Sequence, residues 1–377
     1  MKKVLITGGA GFLGTHLTRE LLRRSCEVTI LDDFSPQVHG TRQTLADDLR
    51  NTVPLIQGDV RERDAWEEAL DGQSCIVHLA AETGTGRSMY DVAHYEQVNI
   101  GGTAQLYDLL AQGESTVERI VLASSRAVYG EGAYQCATHG LVYPASQPAD
   151  AMLAGRFDPV CPTCSGICTP AATPESAPMR PASFYGLTKQ MQEQTALLFG
   201  GVLNIPTVAL RYQNVYGPGQ SLENPYTGIL AIFSNLARAG APIEVFEDGN
   251  ESRDFVFIDD AVRATADSVT NDLQGQHAIN IGSGTRTSLL EIANAINTFY
   301  GGKSELRITG AFRKGDIRHA LADLTLARDL LAYEPRISLS DGLDSFLAWA
   351  AAHASGHDAE AHTRSLTEMR ERGLLHG

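Results

Sequence analysis

Apolar and polar positions follow two alternating periods along the first half of this chain. Short runs rich in Val, Ile and Leu at 3–7, 27–31, 53–57, 75–78 and 119–123 are bounded by glycines, acids and prolines, and they predict buried strands. Between them, apolar residues return every three or four positions near 12–24, 64–70 and 95–112, the spacing of helices that bury one face. Strand and helix in this alternation predict an α/β fold: a doubly wound parallel sheet with helices on both faces. Periodicity fails from Glu131 to Pro181, where Cys, Pro, Gly and Ala dominate. It resumes with a helix at 184–199 and a strand at 207–211. Shorter elements follow Tyr216-Gly217-Pro218-Gly219 up to about Ala352. Residues 353–377 are charged with little apolar period, which predicts a solvated helix or a partly disordered tail.

The first strand runs directly into Gly8-Gly9-Ala10-Gly11-Phe12-Leu13-Gly14. Gly9, Gly11 and Gly14 fit one glycine spacing, and Gly8, Gly11 and Gly14 fit a wider one. Strand, glycine turn and helix together cradle a dinucleotide. The bare backbone approaches the pyrophosphate, and the helix N-terminus offers free N–H groups and a positive dipole end. Asp32 ends the second strand, where a carboxylate accepts from ribose hydroxyls and repels a 2′-phosphate, so NAD is expected rather than NADP. Sheets of this kind bind ligands beyond the carboxyl ends of their strands. Gly58-Asp59-Val60, Leu79-Ala80-Ala81 and Ser124-Ser125 lie at those ends. The expected organisation is a Rossmann NAD-binding domain over 1–215 with a Cys-rich insertion at 131–181, a smaller α/β substrate-binding domain over 216–352, and the tail from 353.

Composition narrows the partners. The 377 residues carry a formal net charge of −15, which disfavours nucleic acid and anionic membranes. No stretch approaches the roughly 18 apolar residues of a membrane span, and the apolar run after Lys2-Lys3 is a strand rather than a signal peptide. The expectation is a cytoplasmic protein. An anionic small substrate remains compatible, because a few local arginines outweigh a distant acidic surface. Of six cysteines, Cys26 and Cys75 fall in or beside strands, and Cys136, Cys161, Cys164 and Cys168 share the insertion. Cys136-x-x-His139 and Cys161-x-x-Cys164 are two chelating pairs with the spacing of structural zinc, and Cys168 competes with His139 for the fourth place. Four protein ligands leave no open position, so the role expected is structural; a flexible loop with free thiols is the alternative. The tail histidines His353, His357, His362 and His376 read as residues of a solvated terminus.

Tyr185 and Lys189 stand four apart near the start of a helix, on one face, and Ser125 ends the fifth strand. Oxidising a carbinol carbon also requires removal of its hydroxyl proton. A tyrosine with an ordinary pKa near about 10 is a poor base at neutral pH. A neighbouring lysine ammonium and a positive nicotinamide would favour the phenolate, and Ser125 would hold the substrate oxygen.

With these pieces in order, the chain resembles the extended short-chain dehydrogenase/reductases, specifically the nucleotide-sugar epimerases and dehydratases, over roughly residues 1 to 350. The matching pieces are Thr7-Gly8-Gly9-Ala10-Gly11-Phe12-Leu13-Gly14, Gly58-Asp59-Val60, His78-Leu79-Ala80-Ala81, Asn99, Ser124-Ser125, Tyr185-x-x-x-Lys189, Arg211-Tyr212-Gln213-Asn214-Val215-Tyr216-Gly217-Pro218 and Arg253-Asp254-Phe255-Val256. The resemblance implies that Asp59 and Val60 flank the adenine and that Leu79, Ala80 and Ala81 line the cofactor. It also puts Asn99, Ser124 and Tyr212 at the cofactor, Lys189 on the nicotinamide ribose and Tyr185 in the role of base. It implies substrate contacts from Arg87 and Asn214, a diphosphate contact from Arg253, and a second from Arg313 or Arg318. A homodimer through the helices near 95–112 and 184–199 is implied as well. Dehydratases of the family carry Asp-Glu after the serine and the related decarboxylases a Glu, whereas this chain has Arg126-Ala127. That departure favours epimerisation of a nucleotide-diphosphate sugar at C4 through a transient 4-keto sugar. Segments 36–40, 81–90 and 220–228 are most similar to the subgroup of dTDP-L-rhamnose 4-epimerases, with Glu82-Thr83 and Arg126 departing from it.

Overall fold

The computed structural model describes residues 1–113, 115–222, 228–353 and 359–377, with the side chains of all of these except 359–363. Residues 223–227 of the segment 220–228, and His357, lie outside the described residues, as does the side chain of His362. Seven parallel strands form the central sheet: β1 (Lys3–Thr7), β2 (Glu27–Asp32), β3 (Leu55–Gln57), β4 (Cys75–His78), β5 (Arg119–Ser125), β6 (Thr207–Tyr212) and β7 (Gln276–Ile281). Their order is β7-β6-β5-β4-β1-β2-β3, and Thr7 pairs in register with Leu31 on one side and His78 on the other. The strand order reverses at β1, so the ligand crevice opens there.

The strands read as near-continuous apolar runs because both faces are covered. Leu5, Ile76, Ile120 and Ala209 pack on one side with Trp66, Leu106 and Ala196. Val4, Ile6, Val77, Val121 and Val208 pack on the other with Leu17 and Leu21 of the helix Phe12–Arg23. β7 comes from well beyond residue 215, so the nucleotide-binding sheet takes its edge strand from a later part of the chain than the sequence pattern places it.

Three regions differ from expectation. The helix read over 95–112 divides into Val92–Tyr95, a π turn at Glu96–Gly101 and an α-helix at Gly102–Gln112. The extra residue in the wide turn goes with Asn99, which is fully buried and bonded to the loop after β4. The insertion carries short strands at Tyr134–Cys136, Gly140–Val142 and Thr169–Pro170 that pair antiparallel. The tail has the helix that was one of its two expected states, at Ala359–Glu371, but it is packed rather than solvated, and a strand at Leu375–His376 pairs with Phe312–Arg313. Leu366, Met369 and Leu375 are buried against Ala311. Three apolar contacts over so many residues leave no period to read. Among the described residues no helix is long and apolar enough to cross a membrane.

Candidate active site

The carboxyl ends of the central strands open on one cleft of about 490 Å³. At its β1 end the glycines are required by space. Gly8 has φ +68°, and a Cβ there would lie 2.9 Å from the Ala80 nitrogen. A Cβ on Gly14 would lie 2.5 Å from the Gly8 carbonyl oxygen. The helix Phe12–Arg23 starts at Gly11 with no side-chain cap, so its first N–H groups remain free for an anion. Gly8, Gly11, Phe12, Leu13 and Gly14 line this part of the cleft. Asp32 is buried at the end of β2. One of its carboxylate oxygens accepts from the Ala10 N–H and the other from the Phe34 N–H, both at 2.9 Å. Asp59, Val60, Leu79, Ala80 and Ala81 complete the wall, and Arg61 holds the Asp59 carboxylate in place. A glycine cradle with no room for Cβ atoms, a free helix N-terminus and a fixed carboxylate together fit a dinucleotide.

At the other end, Ser125 closes β5 and Tyr185 sits in the first turn of the helix Phe184–Leu203, whose N-cap Ser183 accepts from the Gly186 N–H at 3.1 Å. The Tyr185 N–H donates to Ser88 Oγ at 3.0 Å, which ties this turn to the short helix Thr85–Ser88. Ser125 acts on the Tyr185 phenol across this end of the cleft. Lys189 lies one turn on, and its Nζ donates to the Ala123 carbonyl at 2.9 Å. All three side chains line the cleft.

The electrostatics depart from the sequence reading. Burial raises the Tyr185 phenol above its usual range, while the Ser125 hydrogen bond and the Arg126 charge pull it down. Burial lowers Lys189 to about 7, so this lysine is a weak source of positive charge at neutral pH. Arg126 lines the same cleft. Burial and then Arg253 lower it only to about 10, so it stays charged and is the cation that acts on the phenol. In the sequence it registers as the position where an acid is missing and as a departure from the subgroup near the sugar; nothing there shows that it faces Tyr185.

Ser124 and Tyr212 line the cleft, but their hydroxyls are engaged elsewhere, with Glu193 at 2.6 Å and Thr265 at 2.6 Å. Asn99 sits behind the wall. Its Oδ1 accepts from the Glu82 N–H at 2.8 Å, and its Nδ2 donates to the Glu82 carbonyl and to Thr188. It therefore fixes the loop after β4. Gln213, Gln220 and Ser221 also line the cleft; they fall in segments that carry the resemblance, but the sequence assigns them no role.

Of the expected substrate residues, Asn214 lines the cleft. Arg87 donates to Asp91 at 3.0 Å and faces an adjoining depression with Gln220 and Ser221. Arg253 is buried. It donates to the Ser252 and Arg318 carbonyls at 2.9 and 3.1 Å, and Glu251 lies 3.5 Å away. Arg313 stacks over Phe246 at 5.0 Å, with Asp316 at 3.5 Å. Arg318 is not brought to the cleft. Its guanidinium is spent on Asp158, Glu247 and Asp248 at 2.6 to 3.0 Å, which makes it a strut between the insertion and the segment around Glu247.

Outside the cleft, ligand atoms of Cys136, His139, Cys161 and Cys164 all lie within 4.8 Å of one another. Cys168, the rival for the fourth place, instead donates to the Gly166 carbonyl at 3.6 Å.

Residues 4–148 and 162–282 match the NAD dependent epimerase/dehydratase family. Over 353 residues the chain is 39% identical to a dTDP-L-rhamnose 4-epimerase of Burkholderia thailandensis, covering 93% of this chain and 95% of that one. Among solved structures it is similar to MoeE5 in complex with UDP-glucose and NAD, with a TM-score of 0.73 and 28% identity over 94% of this chain and 100% of that one. It is also similar to a UDP-glucuronic acid 4-epimerase from Bacillus cereus in complex with UDP-glucuronic acid and NAD, with a TM-score of 0.74 and 26% identity over 93% of this chain and 100% of that one. A match over most of the chain, on top of the glycine cradle and the Ser–Tyr–Lys arrangement, places this protein in the NAD dependent epimerase/dehydratase family.

Proposed function

We propose that this protein inverts C4 of a nucleotide-diphosphate sugar, with NAD as a resident and recycled cofactor. The observation that carries the reading is the convergence of Ser125, Tyr185 and Lys189 at one end of a dinucleotide cleft, with Arg126 where an eliminating enzyme needs an acid. Among the described residues that line the cleft, Glu82 is the carboxylate at this end, and it is engaged with His94 at 3.1 Å. Bound NAD would supply the reversible oxidation. Tyr185 would take the sugar hydroxyl proton and return it after the ring has turned over. Ser125 would hold that oxygen in line, and Arg126 would stabilise the phenolate. Lys189 and Asp32 would fix the two riboses, and Asn214 the diphosphate end. The likeness to the Burkholderia enzyme makes dTDP-linked 6-deoxyhexoses the first substrates to test.

Further parts of the reading follow from other observations. Leu187, Met191, Leu198 and Val202 stand exposed along one face of the helix Phe184–Leu203, which supports a homodimer across that face. Six free thiols suit a reducing cytoplasm, and the Cys/His cluster is read as a structural zinc site. The test of the activity is NMR of purified protein with a panel of dTDP- and UDP-sugars, together with absorbance at about 340 nm to follow the nicotinamide. The expected result is an epimer with no net change in absorbance, lost in Tyr185→Phe. Net reduction of the cofactor, or full turnover by Tyr185→Phe, sinks the proposal.

A further inference from the structure

We infer that the Cys/His cluster is a metal clamp that sets the substrate half of the active site at a distance; this rests on the zinc and nucleotide-sugar readings above. Cys136 Sγ lies 3.6 Å from His139 Nδ1 and 3.7 Å from Cys164 Sγ, and Cys161 Sγ lies 3.5 Å from His139 Nδ1. Tetrahedral zinc, with Zn–S near about 2.3 Å and Zn–N near about 2.0 Å, puts ligand atoms about 3.8 Å apart for S···S and about 3.5 Å for S···N. The four ligands close the coordination sphere, so the ion has no place for a substrate.

The insertion needs such a staple. Its own buried cluster is Tyr134, Cys136, Val142, Cys161 and Cys168, too small to hold a fold alone. Metal binding energy then acts as folding energy for this segment. From it, two carboxylates reach the substrate half. Glu131 accepts from the Tyr134 hydroxyl at 3.0 Å and from the Arg318 N–H at 3.1 Å. Asp158 accepts from Arg318 Nε at 3.0 Å. The Arg318 carbonyl in turn accepts from the Ser252 N–H at 3.0 Å and from the Arg253 guanidinium at 3.1 Å. Arg253 acts electrostatically on Arg126, which faces Tyr185 in the cleft. The path therefore runs from the metal through Glu131 and Asp158 to Arg318 and Arg253. It meets none of the glycines, Asp32 or Asp59 that form the cofactor half. Loss of the metal loosens the hold on the sugar nucleotide and leaves NAD in place.

The test measures metal content by mass spectrometry, bound NAD, and the affinity for dTDP and UDP by calorimetry, before and after zinc is stripped and restored. The KM and kcat of whichever nucleotide sugar turns over are measured alongside. The expected result is one zinc per chain, and a roughly 2- to 30-fold loss of nucleotide affinity, with a matching rise in KM, on stripping. Zinc restores both, while NAD content and kcat hold. Cys161→Ser with Cys164→Ser should behave as the stripped protein. Asp158→Asn, at a half-exposed position, should keep its zinc and lose nucleotide affinity. No zinc after refilling overturns the metal reading. Zinc that binds and raises only the melting temperature, with affinity and KM unmoved, overturns the coupling alone. Failure of the zinc-loaded protein to bind either nucleotide overturns the substrate reading instead.

Discussion

Lys189 shows how far burial can change what a residue contributes. Among the described residues its Nζ has one backbone acceptor and no carboxylate partner, and desolvation lowers its pKa from 10.5 to about 7. The unfolded chain keeps that proton to about pH 10.5 and the folded chain only to about pH 7, so stability rises with pH between those values. Below pH 7 the folded protein carries the full cost of a buried charge. In protein freed of nucleotide, Lys189→Met should therefore raise the melting temperature at pH 6. It should lower it slightly at pH 10.5, where only the Ala123 hydrogen bond is lost. A shift of one sign across this range would refute the burial argument. Arg126 differs because a guanidinium resists deprotonation, and that property suits it to steady a phenolate.

The short helix Thr85–Ser88 links Tyr185, the proposed base, to the segment 359–377. Ser88 receives the Tyr185 N–H, and Gly86 leaves room for Met369, whose methyl would lie 2.7 Å from a Cβ at that position. The Arg372 guanidinium stacks over Tyr90 at 4.3 Å on the same side, and the Lys314 N–H donates to the Leu374 carbonyl at 2.8 Å. The tail thus braces the catalytic side and the substrate side together. Met369→Ala should destabilise the protein by about 2 kcal/mol, the low end for a buried large-to-small change, measured by thermal unfolding. It should also raise KM for the sugar nucleotide. An unchanged melting temperature would show that the tail does not brace the site.

For the whole molecule, the sheet places both chemistries at one set of strand ends. Its reversal of order at β1 opens the crevice, and the return of the chain at β7 ties the substrate half to the sheet. The helix Phe184–Leu203 buries Lys189, Gln192, Glu193 and Ala196 toward the sheet and leaves Leu187, Met191, Leu198 and Val202 outward. The proposed homodimer would cover this exposed apolar stripe. Leu187→Glu with Leu198→Glu should halve the mass seen by light scattering, and an unchanged mass would remove the dimer face from this helix.

Much of the fold was legible because its signals are local. The runs at β1 to β6, the glycine turn, Asp32 and the pair Tyr185 and Lys189 are spaced by backbone geometry, and periods of two and 3.6 residues survive in one dimension. β7, the packed tail and the π turn around Asn99 were not legible, because each is stabilised by partners far away in the chain. Side-chain charge behaved the same way. Four candidate arginines looked alike in sequence, yet Arg318 is consumed by three carboxylates, and Arg126, never counted as a site residue, faces the phenol. The amino-acid order determined which groups the site would need and roughly which strand ends would carry them. Burial and long-range pairing decided which cation meets Tyr185, which thiols converge with His139, and how the last residues of the chain close on the first domain, because solvation and Coulomb energies depend on distances that exist only once the chain has folded.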